Sequence, residues 1–136
     1  MTIAAYWGTT SSYTYNLDGT VMVETPDHRI MSVSEETFEY LYFKLDEFTA
    51  ALKEDCVRYV INKPGTLLRD LPKWYSDLII EGTVYILDGI PILNEESGEI
   101  EMAKNSVLMQ NYKGDLRYLE GFKFHQYYNT LEDYIL

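Results

Sequence analysis

Between Ser32 and Asp55 the residues Phe38, Leu41, Leu45, Phe48 and Leu52 recur at alternating intervals of three and four. That spacing puts all five on one stripe of an α-helix, with Tyr42 at its edge. Ser32 followed by Glu35 fits a capping box, Ser34 offers a cap further along, and Glu35 and Glu36 fall where the helix dipole favours carboxylates. The pattern predicts a helix over about 33–54 with Leu45 and Phe48 in the core. Its opposite face carries Glu36, Tyr40, Phe43, Glu47 and Glu54, two aromatics among three carboxylates.

Such a stripe needs a sheet to cover. Ile3 to Tyr6 reads as a first strand and Gly8 to Ser12 as a loop. Tyr13 to Tyr15 and Thr20 to Glu24 are rich in β-branched and aromatic residues, and Asn16-Leu17-Asp18-Gly19 links them as a hairpin turn. After Thr25-Pro26-Asp27 turns the chain, Arg29 to Val33 adds a third strand and completes a meander beneath the helix.

Further on, Cys56 to Asn62 alternates as a strand. Thr66 to Ile80 has helical spacing interrupted by Pro72, which predicts a short turn of helix, then a loop or second short helix. Val84 to Leu87 and Ile90 to Leu93 flank Asp88-Gly89, a two-residue link of the kind that tight hairpins use. Pro91 lacks a donor, so its strand is expected at an edge or to begin with a bulge. Glu95-Glu96-Ser97-Gly98 is a charged turn before a brief pairing over Glu99 to Met102. Ser106 to Tyr112 reads as strand or helix, Leu116 to Leu119 and Phe122 to Tyr128 as strands, and Asn129 to Leu136 as a short helix. The expected fold is α+β: one domain over 1–136, an antiparallel β-meander and hairpins packed against one main amphipathic helix, with short additional helices.

With 46% hydrophobic and 15% aromatic residues the chain can bury a core without help. A lone Cys56 pairs with nothing inside the chain and fits a reducing compartment. MTIAAYWGTT carries neither the basic segment nor the apolar run of a leader, and the apolar runs elsewhere are too short to span a bilayer. The expectation is a cytoplasmic protein, not held at a membrane.

Charge sets the class of partner. Asp and Glu number 22 against 11 Lys and Arg, for a net charge of -11. A surface of that sign repels phosphate, so nucleic acid is not expected as a direct ligand, and basic protein surfaces are favoured instead. No Lys or Arg occurs from Met1 to His28, and none from Trp74 to Ala103, where Asp77, Glu81, Asp88, Glu95, Glu96, Glu99 and Glu101 fall.

No motif for catalysis or a cofactor accompanies this charge. His28 and His125 lie far apart in sequence, and no His or Cys has another at metal-ligand spacing. Cys56 follows Glu54 and Asp55, whose charges raise a thiol pKa and blunt a nucleophile. Asp18-Gly19 and Asp88-Gly89 are turn chemistry without the ligands of a calcium loop, and the glycines are too scattered to cradle phosphate. No cofactor and no metal are expected, beyond weak attraction of a divalent cation to the acidic run.

Thirteen tyrosines pack sheets well and also suit interfaces. Where aromatics stand beside carboxylates, the mixture grips Lys and Arg by charge and by cation-π contact. The expected function is a small acidic protein-binding module, an inhibitor or nucleic-acid mimic that occupies a basic surface on a partner such as a nucleic-acid-binding protein. Its candidate contact residues are Glu36, Tyr40, Phe43, Glu47, Glu54, Glu95, Glu96, Glu99 and Glu101. In size and composition, though in no motif, the chain is similar to phage-encoded DNA-mimic inhibitors, whose carboxylates occupy the phosphate-binding surface of a host nuclease or transcription protein. The alternatives are a small hydrolase with a carboxylate and tyrosine site, or a subunit of a larger viral or toxin-immunity assembly. A homo-oligomer is compatible with each.

Overall fold

The computed structural model describes residues 3–131, which are mixed α and β, mostly strand, with antiparallel sheets. The chain runs through β1 (Ala5–Trp7), β2 (Ser11–Tyr15), β3 (Thr20–Glu24), β4 (Ile30–Ser34), α1 (Glu35–Leu41), β5 (Tyr42–Lys44) and β6 (Thr49–Leu52). A 3-10 turn, Lys53–Asp55, leads into β7 (Cys56–Ile61), and another, Leu68–Asp70, precedes α2 (Lys73–Glu81). Then come β8 (Val84–Leu87), β9 (Ile90–Glu95), β10 (Gly98–Glu101), β11 (Val107–Asn111), β12 (Leu116–Leu119), α3 (Gly121–Tyr127) and β13 (Tyr128–Thr130).

The described residues form two compact units, one of residues 3–58, Gln110–Leu116 and 125–131, the other of Tyr59–Met109 and Arg117–Phe124. The first unit holds a five-stranded sheet in the order β4-β3-β2-β6-β5. Its meander follows the sequence reading, with Tyr13 opposite Val23 and Val23 opposite Met31. Gly19 takes a positive φ of 86° in the first turn. The inward residues Tyr13, Val21, Val23, Tyr42 and Ala50 close around Phe38, which is 0% exposed. A smaller cluster of Ile3, Ala51 and Cys56 gathers Tyr6, Phe43, Leu45 and Leu131.

The predicted helix over 33–54 is far shorter. Ser34 caps it, its side chain accepting from the Thr37 N–H at 3.1 Å, and the helix ends when Tyr42 turns extended. The chain then forms the β5–β6 hairpin, with Phe43 opposite Ala51. Two causes defeat the helical spacing. Asp46 spends its carboxylate on the N–H groups of Phe48 and Thr49, at 2.8 and 2.7 Å, and so fixes a turn. Strand β6 also gains ladder partners in β2, with Ser11 opposite Ala50, which a helix would forgo. Of the predicted stripe only Phe38 is fully buried. Leu45 is half-buried, Leu41 and Leu52 are exposed, and Phe48 is 70% exposed, while the edge residue Tyr42 lies in the core.

In the second unit the Asp88-Gly89 hairpin forms as its sequence demands: both residues have positive φ, 53° and 78°, and Ile86 faces Pro91. The sheet order β10-β9-β8 places Pro91 in the middle strand, not at an edge. The one ladder bond that proline forgoes falls at the end of β10, where Asn62 Nδ2 donates to the Met102 carbonyl instead, at 2.9 Å. The Pro91 carbonyl accepts from Met102 N–H, so its missing donor faces the same side, one residue beyond the last residue of β10. Helix α2 starts directly after Pro72 and stops at Gly82, whose φ is 83°.

A further sheet has the order β12-β11-β7-β1-β13. The strand predicted over Phe122 to Tyr128 is instead mainly α3. Its alternating aromatics do not share a fate: Phe124 is buried against Tyr59, with ring centroids 4.7 Å apart, whereas Phe122 is exposed. The helix predicted over Asn129 to Leu136 begins as strand, because Asn129 pairs with Tyr6; its remainder after Leu131 lies outside the described residues.

Candidate functional site

The nine candidate contact residues divide between the units. Glu36, Tyr40, Phe43, Glu47 and Glu54 belong to the first, and Glu95, Glu96, Glu99 and Glu101 to the second. Because the long helix is absent, the first five do not share a helix face. Glu36 and Tyr40 stay together, one turn apart on α1, with Tyr40 76% exposed. Phe43 sits on β5, half-buried, with Lys53 Nζ 5.1 Å above its ring. Its aromatic face already holds a cation from its own chain. Glu47 is exposed in the β5–β6 turn and Glu54 in the 3-10 turn after β6.

In the second unit the β9–β10 hairpin displays Glu95, Glu96, Glu99 and Glu101, all exposed. Strand alternation divides them: Glu99 and Glu101 lie on one face, with Glu101 opposite Ile92 and Ile92 opposite Tyr85. The Tyr85 hydroxyl donates to the Glu99 carboxylate, and that bond, with the charges of Glu99 and Glu101, raises the tyrosine's pKa. Tyr85 therefore joins the acidic face, although nothing in its sequence neighbourhood marks it; only the strand register does. The ion pairs of the described residues include Arg29 with Asp27, Lys73 with Asp77, and the contact of His28 with Glu24. None of these involves a candidate glutamate.

Groups suited to chemistry are placed elsewhere. Cys56 is buried, and desolvation together with Asp55 pushes its thiol pKa up to about 12. His28 is exposed in a turn at a φ of 66°, and His125 is exposed on α3. The carboxyl pKa values of Asp18, Asp27 and Asp46 move down, because each accepts hydrogen bonds within its own turn. A cleft of about 80 Å³ in the second unit is lined by Asn62, Lys63, Thr66, Leu68, Tyr75 and Pro91, and its lining includes no carboxylate or histidine. Among the described residues no group of three or more His, Cys, Asp or Glu could hold a metal ion. No helix there is long and apolar enough to cross a membrane. Compared with models of protein families, with curated proteins and with solved structures, the chain finds no match.

Proposed function

We propose that this chain is a small acidic protein-binding module of the cytoplasm, occupying a basic surface on a partner as an inhibitor or nucleic-acid mimic does. The observation that carries the reading is the state of the glutamates. Glu36, Glu47, Glu54, Glu95, Glu96, Glu99 and Glu101 are exposed and take no part in the ion pairs named above, so their charge faces outward. Paired charges on a protein's own surface contribute little to a partner, whereas unpaired ones steer and orient it.

The β9–β10 hairpin is the densest such display, and Tyr85 adds an aromatic hydroxyl beside it. A basic protein that binds DNA through its phosphates would meet the same chemistry here. Capture of partners from a cell lysate on the immobilised chain, at two salt concentrations and with DNA as competitor, tests the idea. Basic nucleic-acid-binding proteins should be retained at low salt, lost steeply as salt rises, and displaced by DNA. Glu95→Gln, Glu96→Gln, Glu99→Gln and Glu101→Gln combined should weaken capture. Retention indifferent to salt and DNA would sink the reading.

A further inference from the structure

We infer that strand β4 is a self-association edge, through which two copies of this chain join their five-stranded sheets about a two-fold axis at Ser32. Among the described residues the sheet order leaves β4 with a partner on one side only, β3. Its sequence, Ile30-Met31-Ser32-Val33-Ser34, contains no charge and no proline. Edge strands normally carry such residues to block pairing. Ile30 is 65% exposed, and Met31, Ser32 and Ser34 are also exposed.

Backbone geometry shows which groups are on offer. Thr25 N–H donates to the Arg29 carbonyl, so Arg29, Met31 and Val33 direct their backbone groups toward β3. Ile30, Ser32 and Ser34 therefore direct theirs outward. In an antiparallel pairing centred on Ser32 these outward residues meet one another: Ser32 faces its own copy and Ile30 faces Ser34. Met31 then faces Val33 on the sheet side that carries the Val21 and Val23 core, so the apolar face continues across the axis.

Charge selects a second copy as the occupant. One residue beyond each end of the strand stands Arg29 and Glu35, and the same register brings Arg29 of each copy toward Glu35 of the other. Arg29 now bonds Asp27 at 2.8 Å in an exposed pair, which exchanges at little cost. Of the other uncharged edges, β8 lacks this complementarity, because its nearest flanking charges, Glu81 and Asp88, are both acidic, and β13 offers only three residues.

Light scattering and sedimentation of the full chain test the pairing. The expected mass is twice the 15.9 kDa of one chain, reached as concentration rises. Ser32 is exposed, so Ser32→Lys and Ser32→Glu keep the fold while setting like charges against each other at the axis. Each variant alone should dissociate at least about tenfold more readily, and an equimolar mixture of the two should recover the double mass. A wild-type chain that stays at single mass up to about millimolar concentration would overturn the proposal, as would Ser32→Lys associating like wild type. The acidic-surface reading is tested separately: the glutamine substitutions on β9 and β10 leave β4 untouched.

Discussion

Phe38 and Phe48 stand ten positions apart on one predicted stripe, yet the fold assigns them opposite environments. Phe38 is enclosed, stacked on Tyr42 at 5.3 Å and tilted against Tyr13 at 5.0 Å, whereas Phe48 projects into solvent from the β5–β6 turn. Phe38→Ala should therefore cost ~3–5 kcal/mol in chemical denaturation, and Phe48→Ala ~0.5 kcal/mol or less. Equal losses would mean that the sheet packs differently. Cys56 belongs to the same scale. Its buried thiol donates to the Leu52 carbonyl at 3.2 Å, and its raised pKa leaves almost no thiolate at neutral pH. Alkylation by iodoacetamide should be negligible in the native protein and rapid once the chain is unfolded in urea; fast native labelling would contradict this burial. Asp46 titrates in the opposite sense. The Phe48 N–H, then the Thr49 hydroxyl and N–H, hold its carboxyl below the usual carboxylate range. A depressed folded pKa gives stability that is present above the unfolded value of ~3.9 and is lost as pH falls through the lower folded value. A carboxyl-carbon NMR titration should place the Asp46 midpoint below that of an unfolded reference, and Asp46→Asn should flatten the acid limb of the stability curve.

Among the elements, turns were more legible than helices. The hairpins around Asn16 to Gly19 and Asp88-Gly89 follow their sequences because a positive φ is a local demand that few residues satisfy. The long helix misled because intervals of three and four describe a stripe only if the backbone stays helical. Tyr42-Phe43 and Thr49-Ala50-Ala51 instead gain cross-strand partners that lie far away in sequence. Phe122 to Tyr128 failed in the reverse direction, since burial of Phe124 alone satisfies a helix as well as a strand. The acidic candidates were readable as charge, but Tyr85 was not, because its bond to Glu99 depends on strand register. Glycine positions test the element scale. Gly89→Ala should lower stability by ~1–2 kcal/mol, as a side chain at φ 78° is strained in a turn where space is not limiting. Gly121 is the contrasting case, for a Cβ there would lie 2.3 Å from the Asn105 carbonyl oxygen, so Gly121→Ala forces the start of α3 away from that carbonyl.

For the whole molecule the governing quantity is the net charge of -11, carried largely by side chains that the fold leaves exposed. Exposed like charges repel over a Debye length, which falls from ~30 Å at ~0.01 M salt to ~10 Å at ~0.1 M. Salt therefore acts on the chain in two opposite ways. It screens self-repulsion and stabilises the fold, but it weakens attraction to a basic partner. The ion pairs of Arg29 with Asp27 and Lys73 with Asp77, and the contact of His28 with Glu24, are too exposed for their own screening to offset the first effect. Calorimetry across that range should show a melting temperature that rises by ~3 °C, the size expected for about 1 kcal/mol in a domain of this length. Replacing Glu95, Glu96, Glu99 and Glu101 with Gln should shrink that rise, because it removes the densest run of like charge in the second unit. A melting temperature that falls with salt would show that local pairs outweigh the net field. The outward glutamates would then be held by cations of their own chain and not left for a partner.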